Sequence, residues 1–154
     1  MVVCNEGQAL CVAVEMERRA IRVYERALML AADPAVVAGI QEILADEREH
    51  LRCFSEMKEK HPVPADEEKM LISSMAAEVL FTGGVMEMKR EQALTTLYGL
   101  YRYAADSEAG AVETYGGFAE KCADPRVKDT FMAIVHEESR HLTVLLERLE
   151  SMKQ

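Results

Sequence analysis

Tryptophan is missing from this 154-residue chain, and five tyrosines and four phenylalanines make up all of its aromatics. Proline occurs only four times while methionine occurs ten times, a balance that favours an all-α chain. No basic stretch exists and the net charge is −9, which argues against nucleic acid as a partner. No apolar run approaches the roughly 20 residues of a membrane helix, so no membrane partner is expected. The start, Met1-Val2-Val3-Cys4-Asn5-Glu6, lacks a basic segment and a long apolar segment, so no signal peptide is expected. The four cysteines (Cys4, Cys11, Cys53 and Cys122) form no Cys-x-x-Cys, which excludes a zinc ribbon or a rubredoxin-type iron centre within this stretch. Scattered thiols fit a reducing, cytoplasmic setting and read as buried core cysteines.

What is there is helical periodicity, in a length that suits one domain spanning 1–154. Leu10, Ala13, Glu17, Ile21, Tyr24, Leu28 and Ala31 recur at three- and four-residue steps and trace one face of a helix over about 6–31. Asp33-Pro34 ends it and opens a second, with Asp33 as N-cap and Pro34 at the first helical position. That helix runs to about Lys60 with Val36, Ile40, Ile43, Glu47, His50, Phe54 and Met57 inward. Two long helices joined by a tight turn lie antiparallel. A shorter helix is expected over Ala65–Phe81 with Asp66 as its cap, followed by a break at Thr82-Gly83-Gly84. A third long helix is expected from about Met88 to Cys122, weakened at Gly110, Gly116 and Gly117 by up to about 1 kcal/mol each. Asp124-Pro125 then opens a fourth, to about Ser151, with Val127, Phe131, Ile134, Glu138, His141, Leu145 and Leu149 inward. The fold class that follows is an all-α four-helix bundle. It comprises two helical hairpins (about 6–60 and 88–152) and a long crossover (about 61–88) containing a short helix. Such a crossover suggests that equivalent helices lie diagonally.

The two hairpins are repeats of each other. Glu47-Arg48-Glu49-His50 returns ninety-one positions later as Glu138-Ser139-Arg140-His141. The same offset carries Glu17 onto Glu108, Tyr24 onto Tyr115, and Ala32-Asp33-Pro34 onto Ala123-Asp124-Pro125 without an insertion. Ala20/Ala111, Ile43/Ile134 and Leu51/Leu142 keep the register. Each half thus supplies a lone Glu and a Glu-x-x-His, the ligand inventory of a carboxylate-bridged dimetal site in a helical bundle. Position supports this. Glu17 lies between Ala13 and Ile21, Glu47 between Ile43 and Leu51, Glu108 between Ala104 and Val112, and Glu138 between Ile134 and Leu142, all on apolar faces. Four carboxylates in a bundle core would each meet a desolvation penalty of several kcal/mol and would repel one another. Two divalent cations cancel their charge in count.

Residues three apart share a helix face, so Glu47 and Glu138 can bridge two ions while His50 and His141 each bind one, and Glu17 and Glu108 complete the set. Carboxylate and imidazole together suit iron or manganese, and zinc is admitted. Asp46 and Glu137 each precede a ligand His by four residues, and each can accept the free N–H of the His on the opposite hairpin. Tyr24 and Tyr115 lie two turns from Glu17 and Glu108 and can bond to the opposite carboxylates, act as redox neighbours, or serve as plain core tyrosines.

These residues, Glu17-x6-Tyr24, Glu47-Arg48-Glu49-His50, Glu108-x6-Tyr115 and Glu138-Ser139-Arg140-His141, resemble the ferritin-like superfamily of di-iron carboxylate proteins and, within it, the rubrerythrins. The resemblance implies two iron ions per site and reduction of hydrogen peroxide, or oxidation of ferrous iron by peroxide or dioxygen. It also implies a homodimer and, as no rubredoxin-type cysteines occur here, a separate electron donor such as a rubredoxin-like protein. Rubrerythrins place an extra carboxylate one turn after the third-helix Glu, whereas this chain has Ala111 there. From a different class, a structural or binding bundle around a redox-silent metal such as zinc uses the same inventory.

Overall fold

Capping signals set where the helices begin. The fold is described by a computed structural model for residues 3–81 and 95–153. Helix α1 spans Glu6–Leu30, and the Asn5 side chain accepts the Gln8 N–H at its start. Asp33 and Asp124 do the same for α2 (Pro34–Lys60) and for the last helix, accepting from Ala35 N at 2.8 Å and Arg126 N at 2.9 Å. In both places Pro follows, where its missing N–H costs no hydrogen bond. Helix α3 spans Ala65–Phe81, α4 Leu97–Lys121 and α5 Pro125–Met152. Among the described residues there is no strand, and no helix is long and apolar enough to cross a membrane.

Two boundaries differ from the sequence reading. An unbroken third helix from Met88 is not what forms. Thr96 is extended and its hydroxyl accepts Gly99 N–H at 3.0 Å, so α4 begins at Leu97. The Met88 start and the Thr82-Gly83-Gly84 break lie outside the described residues. Asp66 is not the cap of α3, since the first helical bond runs from Glu68 N to Pro64 O and places Asp66 inside the first turn. There its negative charge still complements the helix dipole.

Helix order also corrects the expectation of diagonal equivalents. Helix α1 packs against α2, α3 and α4, and α5 packs against α4 and α2. The repeated helices α1 and α4 are therefore neighbours, as are α2 and α5. Tyr24 reaches Glu108 and Tyr115 reaches Glu17, so numbers rise along α1 as they fall along α4, and the two are antiparallel. Because α1 is also antiparallel to α2, α2 and α4 run parallel across the diagonal. That arrangement requires the connection between them to return along the bundle.

The core falls into two clusters. One gathers Val23, Ile40, Ile43, Leu44, Leu100 and Leu145 around Tyr24 and Tyr101. The other is aromatic, with Phe54, Tyr115 and Phe131 at centroid distances of 5.1 to 5.7 Å. Phe131 and Phe54 are fully buried, and truncation of such a ring costs about 3–5 kcal/mol. Helix α3 lies on α1, with Leu71 and Met75 buried, and Cys11 sits by Glu67 and Glu68 at its start. This second neighbour accounts for burial of Cys11, which a single inward stripe on α1 does not predict. Of the four cysteines only Cys11 is buried. Cys4 is exposed and the others are half-buried, which corrects the reading of all four as core residues.

The fold makes a paired stability prediction at glycine. A Cβ on Gly7 would lie 2.7 Å from the His61 carbonyl oxygen and 2.7 Å from Val63 Cγ2, and the backbone oxygen has little freedom to move. A Cβ on Gly117 meets nothing within 4 Å. Gly7→Ala is expected to lower the midpoint of thermal unfolding, whereas Gly117→Ala raises stability by about 0.5–1 kcal/mol. Thermal melts of both variants against the parent check this, and a neutral Gly7→Ala would refute the close approach.

Candidate metal centre

The helix faces that build the core also carry six ionisable side chains into it. Glu17, Glu47, His50, Glu108, Glu138 and His141 are only 1–3% exposed. They occupy the middle of α1, α2, α4 and α5, between the two hydrophobic clusters. Two groups of donor atoms form, each within 4.8 Å of one another: Glu17, Glu47, His50 and Glu138, and Glu47, Glu108, Glu138 and His141. Glu47 and Glu138 belong to both.

The shortest contacts of both histidines run crosswise between hairpins. His50 Nδ1 lies 2.8 Å from Glu138 Oε1 and 3.6 Å from Glu17 Oε1. His141 Nδ1 lies 3.0 Å from Glu47 Oε1 and 3.6 Å from both Glu108 Oε1 and Glu138 Oε2. The outer nitrogens are held by the residues read from sequence as supports: His50 Nε2 meets Glu137, and His141 Nε2 meets Asp46 Oδ2 at 2.9 Å. Arg140 also reaches Asp46, at 3.3 Å. With an outer carboxylate at Nε2, each imidazole keeps its proton there and turns Nδ1 toward the carboxylates. Tyr24 donates to Glu108 Oε1 at 2.5 Å and Tyr115 to Glu17 Oε1 at 3.0 Å.

Burial and charge set the protonation of these groups. Burial alone would lower the two imidazoles, but the carboxylates of Glu138 and Glu17 beside His50, and of Glu138, Glu47 and Asp46 beside His141, push both up to about 10. Burial would raise Glu138, yet His141 and His50 hold it down at about 2. Glu47 goes the other way, raised well above the ordinary carboxyl range by burial and by Glu17. Burial and the surrounding carboxylates raise Tyr24 and Tyr115 well above the ordinary phenol value, so both hydroxyls stay protonated.

Does this set fit a metal pair? Among the described residues, Glu17 Oε2, Glu47 Oε1, Glu108 Oε2 and His141 Nδ1 are buried polar atoms with no hydrogen-bond partner. Buried donors and acceptors are nearly always satisfied. His141 Nδ1 and Glu47 Oε1 lie 3.0 Å apart, close enough to hold one ion together once the imidazole gives up its Nδ1 proton. All four orphaned atoms lie on residues of the two donor groups, and oxygen and imidazole donors in this number suit divalent iron, manganese or zinc. The residues fit.

Beside the carboxylates, between α1 and α4, is a cavity of about 240 Å³ that sequence reasoning missed. Glu17, Glu47, Glu108 and Glu138 form its floor, and neither histidine lines it. Its walls include Met16, Ala20 and Val23 on α1 and Ser107, Ala111 and Thr114 on α4. Met16 and Val23 map by the repeat onto Ser107 and Thr114, so no identity across the halves marks these positions.

Residues 5–151 match a family model described as a ferritin-like domain. No curated protein and no solved structure matches the chain.

Two expected outcomes follow from the geometry. At neutral pH the metal-free protein carries both imidazoles protonated, so loading two divalent cations releases at least one proton per histidine. Apparent affinity then falls as pH falls. Zinc titration in weak buffer with a pH indicator reads the release directly, and uptake without release would contradict it. The same imidazolium groups stabilise the metal-free fold fully below the ordinary imidazole value of 6.5, and that contribution is lost as pH rises toward about 10. Asp46→Asn and Glu137→Gln should each weaken metal affinity by about 10–100-fold, because an outer partner orients and charges its imidazole. Unchanged affinity in both variants would remove that role.

Proposed function

We propose that this chain, which belongs to the ferritin-like domain family, is a di-iron oxidoreductase of rubrerythrin type that reduces hydrogen peroxide with electrons from a separate donor protein. The observation that carries the reading is the buried set of four carboxylates and two histidines, clustered in two donor groups and including four atoms without a hydrogen-bond partner. Glu17, Glu47, His50 and Glu138 would hold one ion, and Glu47, Glu108, Glu138 and His141 the other, with Glu47 and Glu138 shared. When bound, the ferrous pair supplies the two electrons that cleave the O–O bond of peroxide.

The chain's own residues do the rest. Reduction of peroxide to two waters consumes two protons, and Tyr24 and Tyr115 keep protonated hydroxyls on the two outer carboxylates. Asp46 and Glu137 fix the histidine rings. All four carboxylates border the cavity, on the side away from the histidines, where a small molecule would approach the centre. Ala111, where rubrerythrins carry an extra carboxylate, lines that cavity and leaves it open.

The test is metal analysis followed by anaerobic reduction and one equivalent of peroxide, watched by absorbance. Two irons per chain, reoxidised rapidly by one peroxide and retained, is the expected result. Irons that react faster with dioxygen and then leave the site would replace this reading with ferroxidase work, in which iron is the substrate. Two bound metals inert to both oxidants would leave a redox-silent bundle. Glu47→Ala and Glu138→Ala should each abolish two-metal binding, and two metals per chain in both variants would sink the assignment. Tyr24→Phe and Tyr115→Phe should slow reoxidation by about 10²-fold or more if each hydroxyl delivers a proton. Wild-type rates in both would reduce the tyrosines to holding carboxylates.

A further inference from the structure

We propose that the cavity between α1 and α4 is a binding pocket for a small, uncharged organic molecule with a hydrocarbon body and one oxygen function, placed directly over the carboxylates. The inference rests on the di-metal reading, for it assigns a ligand class to the space beside the same site.

Size is the first argument. The cavity holds about 240 Å³. A water takes about 30 Å³, so peroxide fills roughly two waters' worth, and a dry cavity of about 150 Å³ already accepts benzene. The space here is several times what peroxide needs and exceeds what a six-membered ring needs. It stays below the roughly 300 Å³ at which pockets for drug-sized ligands begin.

Wall chemistry is the second. Met16, Ala20 and Val23 on α1 are apolar, while Ser107 and Thr114 on α4 bring hydroxyls to either side of Ala111. Arg19 is the one cation in the lining, and its Nε is bonded to Glu15 Oε1 at 3.2 Å. A charged ligand would therefore give up part of its hydration for a wall whose one cation already donates to Glu15, at a cost that an uncharged one avoids. An uncharged molecule can bury its hydrocarbon against α1 and bond its oxygen to an α4 hydroxyl.

Polarity at the floor is the third. Glu17 Oε2 and Glu108 Oε2 are buried and unpartnered, and both residues line the cavity. The space therefore adjoins the centre itself rather than a remote part of the bundle. Small side chains on α4 keep it open: Ala111 is 8% exposed, and a Cβ on Gly110 would meet nothing within 4 Å.

Zinc-loaded protein, titrated with benzyl alcohol and separately with benzoate and followed by ligand-observed NMR, tests the pocket without any redox step. Saturable binding of benzyl alcohol, tighter than that of benzoate, is expected. Ala111→Leu, which places three further carbons in the space, should weaken it at least tenfold with two zinc ions per chain retained. Thr114→Ile, from the same wall, gives the same reading if Ala111→Leu fails to fold. Undiminished binding in a folded, zinc-loaded variant overturns the pocket, and benzoate binding as tightly as benzyl alcohol overturns the ligand class. Two zinc ions with no benzyl alcohol bound by the parent protein overturns the pocket and leaves the metal centre standing. Fewer than two zinc ions overturns the centre, and the pocket's role with it.

Discussion

Four carboxylates sit in the interior of this bundle, and the rest of the structure is arranged around their charge. Burying one ion costs several kcal/mol even after relaxation, and four together also repel. The protein itself meets that cost with two imidazolium groups and two tyrosine hydroxyls, yet four buried donor or acceptor atoms keep no partner. Imidazolium at His50 and His141 contributes positive charge where, in the proposed function, divalent cations would contribute twice as much. Protons and metal ions compete for one set of lone pairs, which couples occupancy to pH.

The same charges fix how the hairpins face each other. Each hairpin satisfies its polar groups with the other's: His50 on α2 with Glu138 and Glu137 on α5, and His141 on α5 with Glu47 and Asp46 on α2. Tyr24 and Tyr115 make the corresponding exchange between α1 and α4. A lone hairpin could satisfy none of these bonds, so the docked pair is favoured by more than apolar area. The antiparallel pairing of α1 with α4, and of α2 with α5, is the arrangement in which all of them form at once.

Much of this was legible in the sequence because a repeat constrains positions that composition does not. The six central residues, their burial and the Asp33 and Asp124 caps follow from three- and four-residue spacing and from a shared offset. What sequence missed were features set by neighbours rather than by a helix's own face. The burial of Cys11 depends on α3, a helix outside the repeat. The start of α4 depends on a Thr96 cap that competes with an otherwise continuous helical pattern. Adjacency of equivalent helices follows from cross-hairpin bonds, which periodicity along one helix does not encode. The cavity is a space left by small side chains, and Ser107, Gly110, Ala111 and Thr114 carry no motif that announces one.

The two halves agree where the ligand set lies and differ around it. Phe54 and Phe131 correspond through the repeat to Leu145 and Ile40, so phenyl rings at one end of the bundle stand where branched aliphatic side chains stand at the other. Met16 and Val23 correspond to Ser107 and Thr114, so one wall of the cavity is apolar and the other carries hydroxyls. Charge balance at the centre is a shared requirement and tolerates little change on either side, because removing one carboxylate or imidazole leaves its neighbours uncompensated. Packing around it is less demanding, since apolar exchanges that conserve volume cost little. A duplicated hairpin can hold one chemistry fixed at the centre while its two copies diverge in the surfaces that meet an incoming molecule. The asymmetric cavity over a symmetric floor is what such divergence produces: the floor sets which chemistry is accessible, and the walls set which molecule is brought to it.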